Sequence, residues 1–295
     1  MFPPPAPFSA FIAFFDTLMP INLKKKYNAE WALVTGASSG IGKAIVEKLC
    51  EQSTNVVLVA LDNDLLNNTF DEVSKKYPQL KFIKVPCDLS QGDYMTPIIE
   101  ATKDIDVQLV FNNAGFITAG MFHKISLGRN LGNFECNATS CIKITHHFVG
   151  RILDANLKGY IGFTSSSAGF VPNPLSAMYA STKAFLTLFA TSIAPEIRSL
   201  GIDVVVVHPS PMATNFFDEA SSLSALMAFK KFAAGPSVIA DVLFNSAGRF
   251  VVRDQGTVSI LFRLVMKVID MNLFCELTAR FAHLSGDHAK FNKKE

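Results

Sequence analysis

The sequence has almost no charge bias. Its 27 Lys and Arg stand against 25 Asp and Glu, a net charge of +2 over 295 residues. No broad field therefore exists to capture nucleic acid, and none is expected as a partner. Cysteine is scarce as well. Cys50, Cys87, Cys136, Cys141 and Cys275 form no CxxC pair and no Cys/His cluster with metal-ligand spacing. A disulfide framework and a zinc site are thereby disfavoured, and reduced, mostly buried thiols are expected. An uninterrupted apolar run of the ~20 residues needed to span a membrane is also missing near the start. "APFSAFIAFFDTLMPI" extends over 16 residues, is interrupted by Asp16 and is bracketed by Pro7 and Pro20. No basic residue precedes it and no convincing small-residue cleavage site follows, which argues against a cleaved signal. No internal repeat is visible, and the only biased tract is "PPPAP".

What the chain does have is apolar mass. It is 49% hydrophobic with 26 Phe, and its mean hydropathy is +0.28, enough for one large core. From Trp31 onward, short β-branched runs alternate with longer stretches of helical period: "WALVT", "NVVLVAL", "LKFIKV", "VQLVF", "YIGFT" and "IDVVVVH". Near-continuous apolar strands need cover on both sides, so the pattern predicts an α/β fold, a doubly wound parallel sheet in a single domain. The expected division is an apolar and basic N-terminal segment over 1–26, the α/β domain over 27–250, and C-terminal amphipathic helices with a tail over 251–295. In the last part, "TVSILFRLVMKVIDMNLFCELTARFAHL" carries apolar residues at helical spacing.

Three motifs carry chemistry. "TGASSGIG", Thr35 to Gly42, follows the first strand and opens a helix. Glycine there permits a tight turn and close backbone approach to a pyrophosphate, while free helix N–H groups face the anion. "NNAG" covers Asn112 to Gly115, and "YASTK" places Tyr179 and Lys183 four apart on one helix face. A phenol titrates near 10, and a nearby cation is expected to lower it toward the range of a general acid/base.

Together these motifs resemble the short-chain dehydrogenase/reductase family over roughly Lys26 to Phe250. The resemblance implies a Rossmann-type domain, a nicotinamide dinucleotide cofactor and a catalytic Tyr179–Lys183 pair. It also implies a substrate-orienting serine at Ser166, with Ser165 and Ser167 as competitors. Asn137, in "FECNATS", matches the family's helix asparagine that helps hold a water next to the lysine; the glycan acceptor spelled by "NAT" is then incidental. Implied cofactor contacts are Gly36, Ser38, Ser39, Gly40, Ile41 and Gly42 in the turn, together with Asp88, Asn113, Tyr179, Lys183 and Thr214. Asn112 resembles the first Asn of the cofactor wall. In "PSPMAT" the family usually has Gly where this chain has Ser210.

Cofactor choice is weakly written. Ala60, Leu61 and Ser39 occupy the places where an acid or a base would select, and Asp62 stands where an acid could meet a ribose hydroxyl. NADP(H) is the expectation. "LKKKYNAEWALVTGASSGIGKA" and "SSSAGFVPNPLSAMYASTKAF" resemble the membrane-bound branch of the family with very-long-chain 3-oxoacyl-CoA reductases and 17-beta-hydroxysteroid dehydrogenases. That resemblance implies an apolar substrate and an endoplasmic reticulum membrane facing the cytosol. Lys293 and Lys294 stand one residue out of register for a dilysine retrieval signal. Monotopic membrane contact through the apolar ends and Lys24–Lys26, or a homodimer, fits the same pattern; the C-terminal helices could instead cover the substrate pocket. Alternative readings are a general carbonyl or retinol-type reductase, or a non-catalytic dinucleotide-binding scaffold.

Overall fold

The computed structural model describes residues 20–210, 224 and 234–292. Helix α1 (Leu23–Tyr27) precedes strand β1 (Trp31–Thr35), followed by α2 (Gly40–Glu51), β2 (Asn55–Ala60), α3 (Asp64–Lys76), β3 (Phe82–Pro86), α4 (Met95–Thr102) and β4 (Val107–Asn112). The second half runs α5 (Leu127–Phe134), a π-helical turn (Glu135–Thr139), α6 (Ser140–Asp154), β5 (Gly159–Thr164), a 3-10 turn (Ser167–Phe170), α7 (Ala177–Arg198) and β6 (Ile202–Pro209). It then continues as α8 (Pro236–Ser246), β7 (Val252–Gln255), α9 (Thr257–Val268), α10 (Met271–Phe281) and α11 (Gly286–Asn292).

The sheet order is β3-β2-β1-β4-β5-β6-β7, and every described pairing is parallel. Alternate residues of one strand serve opposite faces, as the two-residue period requires. Ala32 and Val34 of β1 join Ile45, Leu49 and Phe244 on one side. Leu33 between them joins Ile144, Phe148 and Leu186 on the other. Each such buried side chain contributes about 1.5–3 kcal/mol. This two-sided burial explains why the strands read as unbroken apolar runs.

Chain order reverses between β1 and β4, so the loops after these two strands splay apart and leave a crevice at their carboxyl ends. "TGASSGIG" follows β1 and "NNAG" follows β4, which places both motifs at that crevice. The α/β doubly wound sheet is thus the fold that the alternation predicted.

One sequence expectation differs from the structure. The sheet continues beyond residue 250, because β7 pairs with β6 from Val206↔Val252 to Pro209↔Gln255. Four residues with Arg253 and Asp254 among them carry little apolar period, so this edge strand was not read from the sequence. Two members of the basic cluster, Lys24 and Lys26, also reach partners within the protein, while Lys25 is exposed. The Lys26 Nζ donates to the Ala247 carbonyl at 2.7 Å and lies 3.2 Å from Asp203. The Lys24 Nζ donates to the Ser53 carbonyl at 2.7 Å. Tyr27 and Leu23 are buried, and the Tyr27 hydroxyl donates to Asp203 at 2.7 Å. No described helix is long and apolar enough to cross a membrane. The segment 1–19, the first part of the expected membrane contact, lies outside the described residues.

Lys26→Met is expected to lower unfolding stability by about 1–2 kcal/mol, the scale of a hydrogen bond to a charged group. Lys25→Met, on an exposed side chain, should stay within about 0.5 kcal/mol. Urea titration compares them, and equal effects would show that α1 is not tied down through Lys26.

Candidate active site

Helix α7 presents Tyr179 in its first turn and Lys183 one turn later, both buried. Strand β5 ends beside them. The Thr164 carbonyl accepts from the Lys183 Nζ at 2.8 Å, and the Ser165 hydroxyl donates to the Lys183 carbonyl at 2.7 Å. The next residue, Ser166, caps the 3-10 turn by accepting from the Ala168 N–H at 3.1 Å. That turn lies directly on α7: a Cβ at Gly169 would meet the Ala184 nitrogen at 2.7 Å. Glycine is required for so close a backbone approach, and it brings Ser166 to the Tyr179 hydroxyl, with which it hydrogen-bonds. Ser165 is turned into the α7 backbone, which leaves Ser166 facing the tyrosine.

The glycine turn and the "NNAG" loop interlock. A Cβ at Gly42 would lie 2.0 Å from the Gly36 carbonyl, so a side chain at 42 would break the turn. The Thr35 hydroxyl accepts from the N–H groups of Asn113 and Ala114, and the Asn113 side chain bridges the Thr35 carbonyl and the Thr164 hydroxyl. Helix α2 receives no side-chain cap from Ser39, its N-cap residue. A 12-residue helix therefore opens with uncapped N–H groups on the crevice, an arrangement suited to an anion.

Asn137 sits in the π-helical turn, completely buried. Its carboxamide accepts from the Phe116 N–H at 3.0 Å and donates to the Phe116 carbonyl at 2.9 Å and the Thr182 hydroxyl at 3.2 Å. It braces the loop that follows "NNAG" against α7, and a buried, fully engaged amide is no glycan acceptor. Asn112 is turned inward, donating to Thr145 at 3.0 Å.

One cavity of about 890 Å³ gathers most of these groups. Its lining includes Gly36, Ser39, Gly40, Ile41, Asn113, Ser166, Tyr179 and Lys183. Gly42 stands behind the turn. Ser38, Asp62 and Asp88 are not among the lining residues. The Ser38 carbonyl accepts from Thr69, and Asp62 is exposed. Asp88 accepts from Ser90 and Gln91. Burial pushes the Asp88 carboxyl up, but those hydrogen bonds outweigh it and hold it below its usual value. Thr214 lies outside the described residues. Sequence reasoning missed Thr35 and Thr164, although each is a hydroxyl ending an otherwise apolar strand run. It also did not single out Val258, Phe262, Phe274, Leu277 and Phe281 from the C-terminal helices, which supply an apolar wall. Among the described residues no group of three or more His, Cys, Asp or Glu could hold a metal ion.

The electrostatics differ from the sequence expectation. Burial pushes the Tyr179 hydroxyl up to about 12, against a smaller opposing pull from Ser166. Burial lowers the Lys183 ammonium to about 8. The ammonium lies 5.7 Å from the tyrosine ring centroid, and loss of water around both groups outweighs the attraction that was expected to lower the phenol. Near neutral pH the phenol keeps its proton.

Residues 30–225 match the short chain dehydrogenase family. The chain belongs to that family. It is 29% identical over 202 residues to a very-long-chain 3-oxoacyl-CoA reductase-like protein of Arabidopsis thaliana, covering 68% of this chain and 64% of the relative. It is 30% identical over 187 residues to mouse 17-beta-hydroxysteroid dehydrogenase type 3, covering 63% of this chain and 61% of the relative. The matched part thus spans less than two thirds of either relative's length. The structure superposes on one solved in a study of 7beta-hydroxysteroid dehydrogenase stereoselectivity with a TM-score of 0.78. At 23% identity, covering 88% of this chain and all of the other, that likeness is one of fold.

Lys183 binds its proton more weakly folded than unfolded, so between pH 8 and the unfolded value near 10.5 the unfolded chain carries more protons. Wild-type stability, measured without ligand, should therefore rise relative to Lys183→Met across that window, by about 2–3 kcal/mol. Urea melts at pH 7 and 10.5 check this; a constant difference would mean that the ammonium is not desolvated.

Proposed function

We propose that the protein is a nicotinamide-dinucleotide-dependent oxidoreductase that interconverts a ketone and a secondary alcohol on an apolar substrate. The observation that carries the reading is one cavity lined by the glycine turn, by Ser166, Tyr179 and Lys183, and by apolar side chains of the C-terminal helices. A dinucleotide fits what is there: close backbone at Gly36 and Gly42, uncapped N–H groups at the start of α2, and the Asn113 wall. Gly36, Ser39, Gly40, Ile41 and Asn113 would hold it, with Lys183 at its ribose. The bound cofactor supplies or accepts the hydride.

In carbonyl reduction, Tyr179 gives its proton to the substrate oxygen, a role suited to a phenol that is neutral at working pH. Ser166 orients that oxygen and stabilises the charge that develops on it. Lys183 is still largely protonated at neutral pH, and its charge favours the phenolate left behind. Asn137 keeps the Phe116 loop and α7 in register. The oxidation of an alcohol runs these proton steps backward.

The names of the relatives favour a 3-oxoacyl-CoA or steroid-like carbonyl over a small polar one, and the cavity's apolar wall supports the same class. A non-catalytic dinucleotide scaffold would have no need of a serine-bonded phenol beside an ammonium. NADP(H) is favoured over NAD(H) because Ala60 and Leu61 put no carboxylate at the end of β2, although Asp62 stands next in the chain. Tyr179→Phe should reduce kcat more than tenfold, a barrier rise above about 1.4 kcal/mol, with the dissociation constant for NADPH unaltered and below that for NADH. A variant retaining over a tenth of the activity overturns the role of Tyr179, and tighter NADH binding by the wild type overturns the cofactor preference.

The same chain is proposed to work at a membrane surface, with the endoplasmic reticulum as the location that the sequence resemblance implies. Val268 is 86% and Leu284 71% exposed, and Leu277 and Phe281 are both exposed and part of the cavity wall. An apolar rim of this kind is suited to the headgroup boundary. Lys293 and Lys294 lie outside the described residues. Full-length protein should float with liposomes at low salt, and Val268→Glu with Leu284→Glu should weaken flotation. Protein that stays at the bottom of the gradient refutes this placement.

A further inference from the structure

Helix α9 has no cap of its own. Its N-cap residue is Gly256, and the first-turn N–H of Ser259 donates instead to the Ser210 hydroxyl, 3.0 Å away and 49 residues back in the chain. The same hydroxyl donates to the Gln255 carbonyl at 2.9 Å, and the Ser210 N–H donates to that carbonyl as well. Ser210 stands where the resembled family pattern has glycine. The departure therefore has a physical consequence: it supplies, from the end of β6, the cap that α9 lacks.

A second fastening lies one turn further along α9. The Arg263 guanidinium grips Asp254 through both carboxylate oxygens, at 2.5 and 2.9 Å. Asp254 also faces the Nδ1 of the fully buried His208, at 3.1 Å. Burial disfavours the imidazolium, and on the far side of the ring Nε2 lies within hydrogen-bond distance, 2.8 Å, of the Thr187 hydroxyl. Thr187 sits one turn beyond Lys183 on α7. The Arg263 guanidinium also lies 4.1 Å above the ring of Phe170, the last residue of the turn that begins at Ser167.

We propose that Ser210, His208, Asp254 and Arg263 form an anchor that holds α9 against the catalytic helix and turn, and that through this helix they set how bulky a ketone the cavity accepts. The helix bears Val258 and Phe262, which are part of the cavity wall. Asp254 and Arg263 lie beyond the family match at residues 30–225, whereas His208 and Ser210 lie within it. The four are positioning residues. His208, Asp254 and Arg263 act through Val258 and Phe262, Ser210 acts through them and also lines the cavity itself, and the inference rests on the reductase reading above.

The test compares NADPH-dependent reduction of 2-decalone, a bulky bicyclic ketone, with that of cyclohexanone. Ser210→Ala should raise the KM for 2-decalone about fivefold, the scale of one lost helix cap, and Arg263→Met about tenfold. The kcat values should hold, and the cyclohexanone KM should move by less than twofold in Arg263→Met. Phe262→Ala should show the same bias. Because the anchor acts through the wall, Arg263→Met placed on Phe262→Ala should add little further, whereas independent sites would multiply their effects. Equal changes for both ketones, no change for either, or multiplicative effects in the double variant overturn the proposal. Should the wild type reduce neither ketone, the reductase reading fails by itself. The same variants are then compared by ligand-observed NMR on 2-decalone with NADPH bound, where an unaltered dissociation constant overturns the anchor.

Discussion

The site depends on a buried ammonium whose hydrogen bond goes to a backbone carbonyl. The Lys183 Nζ reaches the Thr164 oxygen at the end of β5, and an unsatisfied charge at that depth would be costly. The bond fixes how far α7 stands from the sheet. The placement of Tyr179, the turn bearing Ser166 and the loop braced by Asn137 all follow from that spacing. Where Gly169 touches the α7 backbone there is no room for adjustment. The residues of the proposed proton transfer are thus set by a strand end, a helix and a backbone contact, without flexible loops.

The chain divides physically into a shared frame and an individual wall. The frame is the sheet with its two crevice loops, and its parts are held by backbone contacts and by hydroxyls at strand ends, Thr35 and Thr164. The wall comes from the helices after β7, whose apolar residues are divided between cavity and solvent. A doubly wound frame hosts many unrelated functions, so identity of fold says little about substrate. The apolar helices α9 and α10, and the means by which α9 is fastened to the frame, are where the proposal above places this protein's own selectivity.

Most of the frame was legible in the sequence. Six of the seven strands appear as β-branched runs; for all but the edge strand β3 the reason is that a strand buried on both faces must be largely apolar. The motif residues were legible because each answers a local demand: glycine for close backbone approach, and Tyr179 with Lys183 for a shared helix face. The seventh strand was not, since an edge strand of four residues needs no continuous apolar run. The partners of Lys24 and Lys26 were hidden for a similar reason. Sequence shows that charges are adjacent, but their partners, Asp203 and the carbonyls of Ala247 and Ser53, are brought in from elsewhere by the fold.

The titration of the central pair shows where local reading ends. Spacing alone placed a cation near a phenol and led to the expectation of a lowered phenol; the packed structure raises it, because desolvation depends on everything around the pair and not on the pair itself. By itself the sequence determined the fold class and the family and pointed to the proposed reacting groups, since these rest on periodicity and on residue types at short spacing. The tertiary structure alone decided which serine meets the tyrosine, which of the expected contacts line the cavity, and that Ser210 caps a helix 49 residues downstream. Those outcomes depend on contacts between segments distant in the chain, and no local pattern encodes the distance between them.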